Sequence, residues 1–135
     1  MLLTYLFADI RLPLGRKIPM IVLIWFALAL IAVLAEIFHH SINNYLIYKG
    51  VFWHVLEQKN LYLQYATEYE DSNHYGPLFA LLIAPFALLP NWAGVILWVL
   101  VNAWFLFYAI RQLPLTEKSI KVVFLISIVE FYISM

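Results

Sequence analysis

The feature that most constrains this chain is an unbroken apolar segment near its beginning. Residues 18–38 form a run of 21 residues with a single charged side chain, Glu36, near its far end. As a helix that rises about 1.5 Å per residue, the run is long enough to cross a hydrocarbon core of about 30 Å. A signal peptide has a shorter apolar region, of roughly 7 to 15 residues, followed by a small-residue cleavage site. The letters EIFHHSI contain no such site, so the run predicts a retained membrane-spanning helix.

Composition extends this prediction to the whole chain. Hydrophobic residues make up 65% of the 135 residues and charged residues only 12%, whereas about 25% is usual in globular domains. Because backbone groups in lipid must be satisfied within the chain, the predicted fold class is all-α, a polytopic membrane protein. The formal net charge of zero argues against a nucleic-acid partner. The absence of cysteine excludes disulfides and thiolate metal sites.

Periodicity and turn residues divide the remainder into segments. Residues 41–58 are predicted to form an amphipathic interfacial helix at the membrane surface, in the first outward loop. Its apolar arc comprises Tyr48, Val51, Phe52, Val55 and Leu56, and its polar arc comprises Lys49, His54, Glu57 and Gln58. Residues 59–76 are predicted to form an outward polar loop. Residues 77–89 are predicted to form a short helix, broken by Pro85, that either spans the membrane or re-enters it.

The distal part predicts two further membrane segments. Residues 91–110 form a second spanning helix, and residues 120–135 form the start of another, which contains Glu130. Because the last apolar run ends at Met135 without a flanking anchor, the chain is expected to be the N-terminal part of a longer protein. Residues 1–17 carry Arg11, Arg16 and Lys17, and this charge predicts a cytoplasmic N-terminus in the plasma (inner) membrane. The side on which the Arg111 to Lys121 connection lies stays open, because it depends on whether residues 77–89 cross.

Acidic residues concentrate in the predicted outward loop. They are Glu57, Glu68, Glu70 and Asp71. A carboxylate at a membrane edge can act as a general base toward a sugar hydroxyl or hold a divalent cation. Asp71 and Glu70 lie nearest the following apolar segment, and because adjacent side chains point differently, at most one of them is expected to be central. The alternative is an acidic loop that is simply solvated.

The motif His74-Tyr75-Gly76-Pro77 predicts the start of a helix, with Ser72 or Asn73 as its cap. A helix start offers backbone N–H groups to a phosphate, although ordinary capping is the simpler interpretation. His39, His40 and His54 lack metal-ligand spacing and are interpreted as solvated at the interface, and no metal or cofactor is expected. The indole rings of Trp92, Trp98 and Trp104 either line a site for a polyprenyl chain or serve as packing and lipid contacts.

Taken in order, several short motifs resemble glycosyltransferase family 87, in the GT-C superfamily. They are Asn60-Leu61-Tyr62, Tyr75-Gly76-Pro77-Leu78-Phe79, Ala84-Pro85-Phe86, Leu89-Pro90, and Ala93 with Leu97-Trp98, and together they cover roughly residues 40–115. The resemblance implies a GT-C-like helical bundle. It also implies transfer of a sugar, mannose in particular, from a polyprenyl-phosphate donor to an acceptor at the outer membrane face.

The resemblance also implies an acid soon after the first helix, in a D-x-x-x-Y-like setting. The chain has Asn44 four residues before Tyr48, and an amide cannot act as a base. We therefore expect Asp71 to be the catalytic residue, with Glu70 in reserve, and Asn44, His74, Tyr75 and Gly76 to bind substrate. Two other hypotheses stay open. One is a lipid or solute carrier or flippase component in which the broken segment 77–89 lines a path and Glu130 is a coupling acid. The other is a non-catalytic membrane fragment.

Overall fold

The computed structural model describes residues 8–11, 17–116, 119–124 and 126–127. Two short strands, β1 (Asp9–Arg11) and β2 (Lys17–Pro19), pair antiparallel with Ile10 opposite Ile18. Four helices follow: α1 (Met20–Phe38), α2 (Asn43–Leu56), α3 (Phe79–Ala87) and α4 (Asn91–Gln112). Residues 119–124 are also helical. Glu130 and most of the predicted segment 120–135 lie outside the described residues.

The predicted mostly helical membrane fold is confirmed. Helices α1 and α4, of 19 and 22 residues, are both long and apolar enough to span a membrane. The strand pair was not predicted, because two runs of three residues carry too little periodicity to be recognised. The chain divides into two compact units: a terminal unit of Met1–Ala32 with Leu100–Met135, and a central unit of Val33–Val99.

In the terminal unit, the first turns of α1 pack against the last turns of α4. Ile21 and Trp25 form a buried cluster with Phe107, Ile110 and Phe124. The Trp25 indole Nε1 donates a hydrogen bond to the Ala103 carbonyl at 2.9 Å, so the ring's one polar atom is satisfied. The start of α1 and the end of α4 therefore lie together, and the two helices run antiparallel there.

In the central unit, α2 packs along α3. Tyr45 on α2 and Ile83 on α3 are buried together with Val33 and Val95. Helix α3 has only nine residues, a length of roughly 14 Å at about 1.5 Å per residue. It is thus shorter than the predicted segment 77–89, and its length is about half of a hydrocarbon core of about 30 Å.

Side chains of α2 satisfy the end of α3. The last carbonyls of a helix lack their full set of intrahelical partners. Pro90 has no N–H for the Phe86 carbonyl, four residues before it, and the Leu89 N–H donates to that carbonyl at 3.1 Å. The Tyr45 hydroxyl donates to the Phe86 carbonyl at 2.9 Å. The Lys49 ammonium donates to the Leu89 carbonyl at 3.0 Å and to Asn91 Oδ1 at 2.8 Å. Burial lowers the pKa of Lys49, and these hydrogen bonds fix how α2, α3 and the first residue of α4 meet.

The buried face of α2 differs from the predicted apolar arc. His54, predicted on the polar arc, is 1% exposed, whereas Leu56, predicted on the apolar arc, is 60% exposed. The buried residues Ile47, Gly50, Val51 and His54 lie on a face that is rotated from the predicted arc, and Tyr48, Phe52 and Val55 of that arc pack beside it. The rotation arises because this face packs against protein: Val51 lies in a buried cluster with Leu61 and Ala80, and the Tyr69 ring lies against Gly50.

Candidate functional site

The polar loop, residues 57–78 between α2 and α3, is organised by a buried amide. Asn73 is only 2% exposed. Its Nδ2 donates to the Leu61 carbonyl at 3.2 Å and to the Tyr75 carbonyl at 2.9 Å, and its Oδ1 accepts the Tyr75 N–H at 2.9 Å. Asn73 therefore joins the beginning of the loop to its end and is not the cap of α3. Helix α3 starts instead at Phe79, after a turn in which Phe79 N–H donates to the Gly76 carbonyl at 3.0 Å.

The two predicted catalytic acids lie on a fixed part of this loop. Both Asp71 and Glu70 are exposed. The Glu70 N–H donates to Asn43 Oδ1 at 2.8 Å, and the Asp71 carboxylate accepts the Ser72 N–H at 2.7 Å. The backbone is thus anchored at Glu70 and again at Asn73. The Asp71 carboxylate has a defined direction while it stays open to solvent.

The predicted substrate-binding residues fall into two places. His74, Tyr75 and Gly76 follow Asp71 on the same loop and are exposed. A Cβ placed on Gly76 would meet no heavy atom within 4 Å, so the space beside this backbone is open. Asn44 lies in the first turn of α2 and is exposed. Its neighbour Asn43, rather than Asn44, makes the hydrogen bond to the loop.

Tyr75 also belongs to an aromatic cluster that joins the loop to the helices. The cluster consists of Tyr48, Tyr75, Phe79 and Trp98. The Tyr75 ring stacks on Phe79 with centroids 4.7 Å apart, and it meets Tyr48 edge to face at 5.0 Å. Trp98 packs within the protein in this cluster, whereas Trp92 and Trp104 are exposed. The cluster gives the site an apolar wall on the side of α2 and α3.

Tyr48 provides a test of this wall by titration. Burial, and then the hydrogen bond and charge interaction with Tyr75, raise the pKa of Tyr48 from 10 to about 12. Because the folded pKa is raised, the protonated tyrosine contributes stability that is present below pH 10 and is lost as the pH rises toward 12.

In an ultraviolet titration, we expect Tyr48→Phe to remove a phenol that ionises near pH 12. Tyr75→Phe should lower the pKa of Tyr48 but leave it above 10, since burial is the larger cause. An unchanged titration in Tyr48→Phe would contradict this packing.

A buried histidine and an acid form a pair that the sequence analysis did not predict. His54 Nε2 lies 3.0 Å from Glu68 Oε2, and the Tyr65 ring lies 3.9 Å from the imidazole, centroid to centroid. The interpretation of His54 as a solvated interfacial residue was wrong. Its helical spacing from Ile47, Gly50 and Val51 places it on the packed face of α2. That spacing is the sequence signal that could have predicted the burial of His54. The pair ties the polar loop to α2 near Tyr69, which is 3% exposed.

Among the residues that the structure describes, no group of three or more His, Cys, Asp or Glu side chains is arranged to hold a metal ion. Glu57 and Lys59 pair with each other at the surface. Lys59 lowers the pKa of Glu57. Such an exposed pair contributes little to stability.

The arrangement can be compared with known proteins. No curated protein and no solved structure gives a significant match to the chain. One family model does match: glycosyltransferase family 87, over residues 73–132. The matched region begins at the buried Asn73 and includes His74, Tyr75 and Gly76, while Asp71, Glu70 and Asn44 precede it. Residues 73–132, somewhat less than half of the chain, are thus similar to glycosyltransferase family 87.

Proposed function

We propose that this protein transfers a sugar, mannose in particular, from a polyprenyl-phosphate donor to an acceptor at the outer membrane face. The observation that carries the proposal is the family match over residues 73–132. Two helices able to span a membrane support the proposal. The polyprenyl chain of a lipid-linked donor lies in the bilayer, so the enzyme must bind the donor there. The aromatic cluster of Tyr48, Tyr75, Phe79 and Trp98 supplies apolar surface beside the polar loop for such a donor.

Asp71 is the proposed general base. Its carboxylate is exposed to an incoming acceptor, and the loop on both sides of it is anchored by Asn43 and Asn73. In an inverting displacement, the acceptor hydroxyl gives its proton to Asp71 as its oxygen bonds to the anomeric carbon. The bond from that carbon to the phosphate oxygen breaks, and polyprenyl phosphate leaves. Glu70 is the reserve, because its backbone is anchored while its side chain is also exposed.

His74 and the Tyr75-Gly76-Pro77 turn are the proposed contacts of the leaving phosphate. The open space beside Gly76 lets an anion approach the backbone, and the positive end of the short α3 helix follows three residues later. Asn44 stays a proposed substrate contact, with its exposed amide in the first turn of α2. The carrier alternative needs a path along the broken segment 77–89 and Glu130 as a coupling acid. Glu130 lies outside the described residues, and no observation favours this alternative.

A cytoplasmic N-terminus in the plasma (inner) membrane is part of the proposal. Arg11 and Lys17 lie on the strands before α1, and Arg111 lies in the last turn of α4. Since the start of α1 packs against the end of α4, these positive charges share one membrane face, and positive charge favours the cytoplasm. The chain has no cysteine, so a single cysteine can be placed at Asp9, Gln64 or Gln112 and tested with a thiol reagent that does not cross the membrane. We expect this reagent, added from outside, to label the cysteine at Gln64 alone. Labelling of the cysteine at Asp9 would show the opposite orientation.

The donor is tested with the full gene product in membranes, supplied with labelled mannose on polyprenyl phosphate or on a nucleotide. We expect direct transfer from the polyprenyl-phosphate donor. Transfer from the nucleotide donor should require the membranes to make the lipid-linked form first, and it should stop when that synthesis is blocked. Transfer from the nucleotide donor in blocked membranes would contradict a lipid-linked donor. Transfer of another sugar only would correct the assignment of mannose.

A further inference from the structure

The terminal unit contains a pocket that the proposed transfer reaction does not use. Its volume is about 350 Å³, near the lower end of the range for small-molecule sites. The pocket lies where the first turn of α1 and the last turns of α4 meet the helical residues 119–124. Most of its lining is apolar: Pro19, Ile21, Val22, Phe107, Ile120 and Phe124.

Two cations complete the lining. Arg111 and Lys121 both line this pocket. The Arg111 guanidinium lies over the Phe107 ring, with its carbon 6.0 Å from the ring centroid. This contact holds the planar group beside the apolar wall. An arginine fork can bind two oxygens of a phosphate together, and a lysine adds a second positive charge.

The position of the pocket specifies the kind of anion. The start of α1 and the end of α4 are the ends of two candidate membrane spans, and such ends lie at the depth of lipid headgroups. Basic pockets between membrane helices bind anionic headgroups. The apolar lining next to the two cations fits the first part of an acyl chain, which a soluble phosphate compound does not have.

We propose that this pocket binds an anionic membrane phospholipid, with its phosphate at Arg111 and Lys121 and its acyl chain against Phe107 and Phe124. The proposal does not depend on the transfer reaction or on its donor. It requires only that α1 and α4 lie in a bilayer. If Arg111 interacted only with the C-terminal dipole of α4, as at an ordinary helix end, the protein would bind anionic and zwitterionic lipids equally.

The test measures lipid binding to the purified full gene product in detergent. Phosphatidylglycerol and phosphatidylcholine with the same acyl chains are compared by native mass spectrometry and by their effect on thermal unfolding. We expect phosphatidylglycerol to bind at least about tenfold more tightly, and we expect added salt to reduce this preference. The double variant Arg111→Gln/Lys121→Gln should lose the preference, whereas Arg111→Lys should keep part of it.

Arg11→Gln is the matched control, because Arg11 is an exposed cation of the same unit that does not line the pocket. It should keep the full preference. Equal binding of the two lipids to the wild type, or an unchanged preference in the double variant, would overturn the proposal. Inorganic phosphate forms a third arm. If it protects the protein as well as the lipid does, the pocket is a phosphate site and the acyl chain has no role.

Discussion

Replacing Asp71 by Asn is expected to reduce sugar transfer by at least about 100-fold, because loss of a general base commonly costs 10² to 10⁴ in rate. The carboxylate accepts a hydrogen bond from the next residue's N–H, Ser72, at 2.7 Å, and an amide oxygen can accept the same bond. Asp71→Asn should therefore keep the loop conformation while it removes the base. The measurement is transfer of labelled mannose from polyprenyl-phosphate mannose, with the full gene product in membranes and its amount determined by immunoblot.

Glu70→Gln is the matched control for this experiment. It removes an adjacent exposed carboxylate and leaves the backbone hydrogen bond from Glu70 to Asn43 in place. We expect its rate to stay within about threefold of the wild type, since a surface carboxylate outside the reaction contributes little. If Glu70→Gln loses transfer and Asp71→Asn does not, the reserve assignment is correct.

A third variant separates catalysis from loop structure. Glu68→Gln changes the acid that meets the buried His54, 3.0 Å away. Because the pair ties the polar loop to α2, we expect this variant to lower the melting temperature. The transfer rate per folded molecule should stay close to that of the wild type. Full transfer in both Asp71→Asn and Glu70→Gln, with loss in Glu68→Gln, would move the catalytic assignment to the Glu68–His54 pair.

The largest expected effect on stability comes from Gly94→Ala. Gly94 is buried in the first turns of α4. A Cβ there would lie 2.5 Å from the Phe86 carbonyl oxygen and would overlap the Tyr45 hydroxyl. These two atoms form a hydrogen bond with each other, beside the one that the Phe86 carbonyl accepts from the Leu89 N–H. The substitution therefore combines overpacking, which costs about 1 to 3 kcal/mol, with damage to a buried hydrogen bond.

We expect Gly94→Ala to lower the melting temperature in detergent by roughly 8 °C or more, given a few degrees per kcal/mol for a chain of this size. Gly76→Ala is the matched control, since a Cβ there meets nothing within 4 Å. It should change the melting temperature by no more than about 2 °C, as substitutions at open surface positions usually do. A small effect at Gly94 would mean that α3 and α4 are not this close.

A double variant tests the cause of the Gly94 effect. Tyr45→Phe alone should destabilise the protein by about 1 kcal/mol, because the Phe86 carbonyl loses a donor. In Tyr45→Phe/Gly94→Ala, the same change also removes the atom that the added methyl group would overlap most, the Tyr45 hydroxyl oxygen. The two effects should therefore be less than additive, as expected for residues in contact. Strict additivity would show that Tyr45 does not contact the position of the added methyl group.

The sequence by itself determined that much of this protein is suited to lipid, and which helices can span a membrane. The runs that became α1 and α4 are recognisable because their hydropathy is a local property that needs no partner. The acids Glu70 and Asp71 and the turn at Gly76 were also visible as a change from polar to apolar composition. The order of short motifs from Asn60 to Trp98 was sufficient to indicate the resemblance to glycosyltransferase family 87 that the family model finds over residues 73–132.

Only the tertiary structure decided which faces are packed and which polar groups meet. Tyr45 and Lys49 satisfy carbonyls about 40 residues away, and His54 meets Glu68 across a turn of the chain. Periodicity placed His54 on the wrong side of α2, because it ranks residues by polarity and gives no weight to an acid that a distant loop supplies to a buried histidine. A buried polar side chain depends on partners elsewhere in the chain, and the folded packing of α2, α3 and the polar loop provides them.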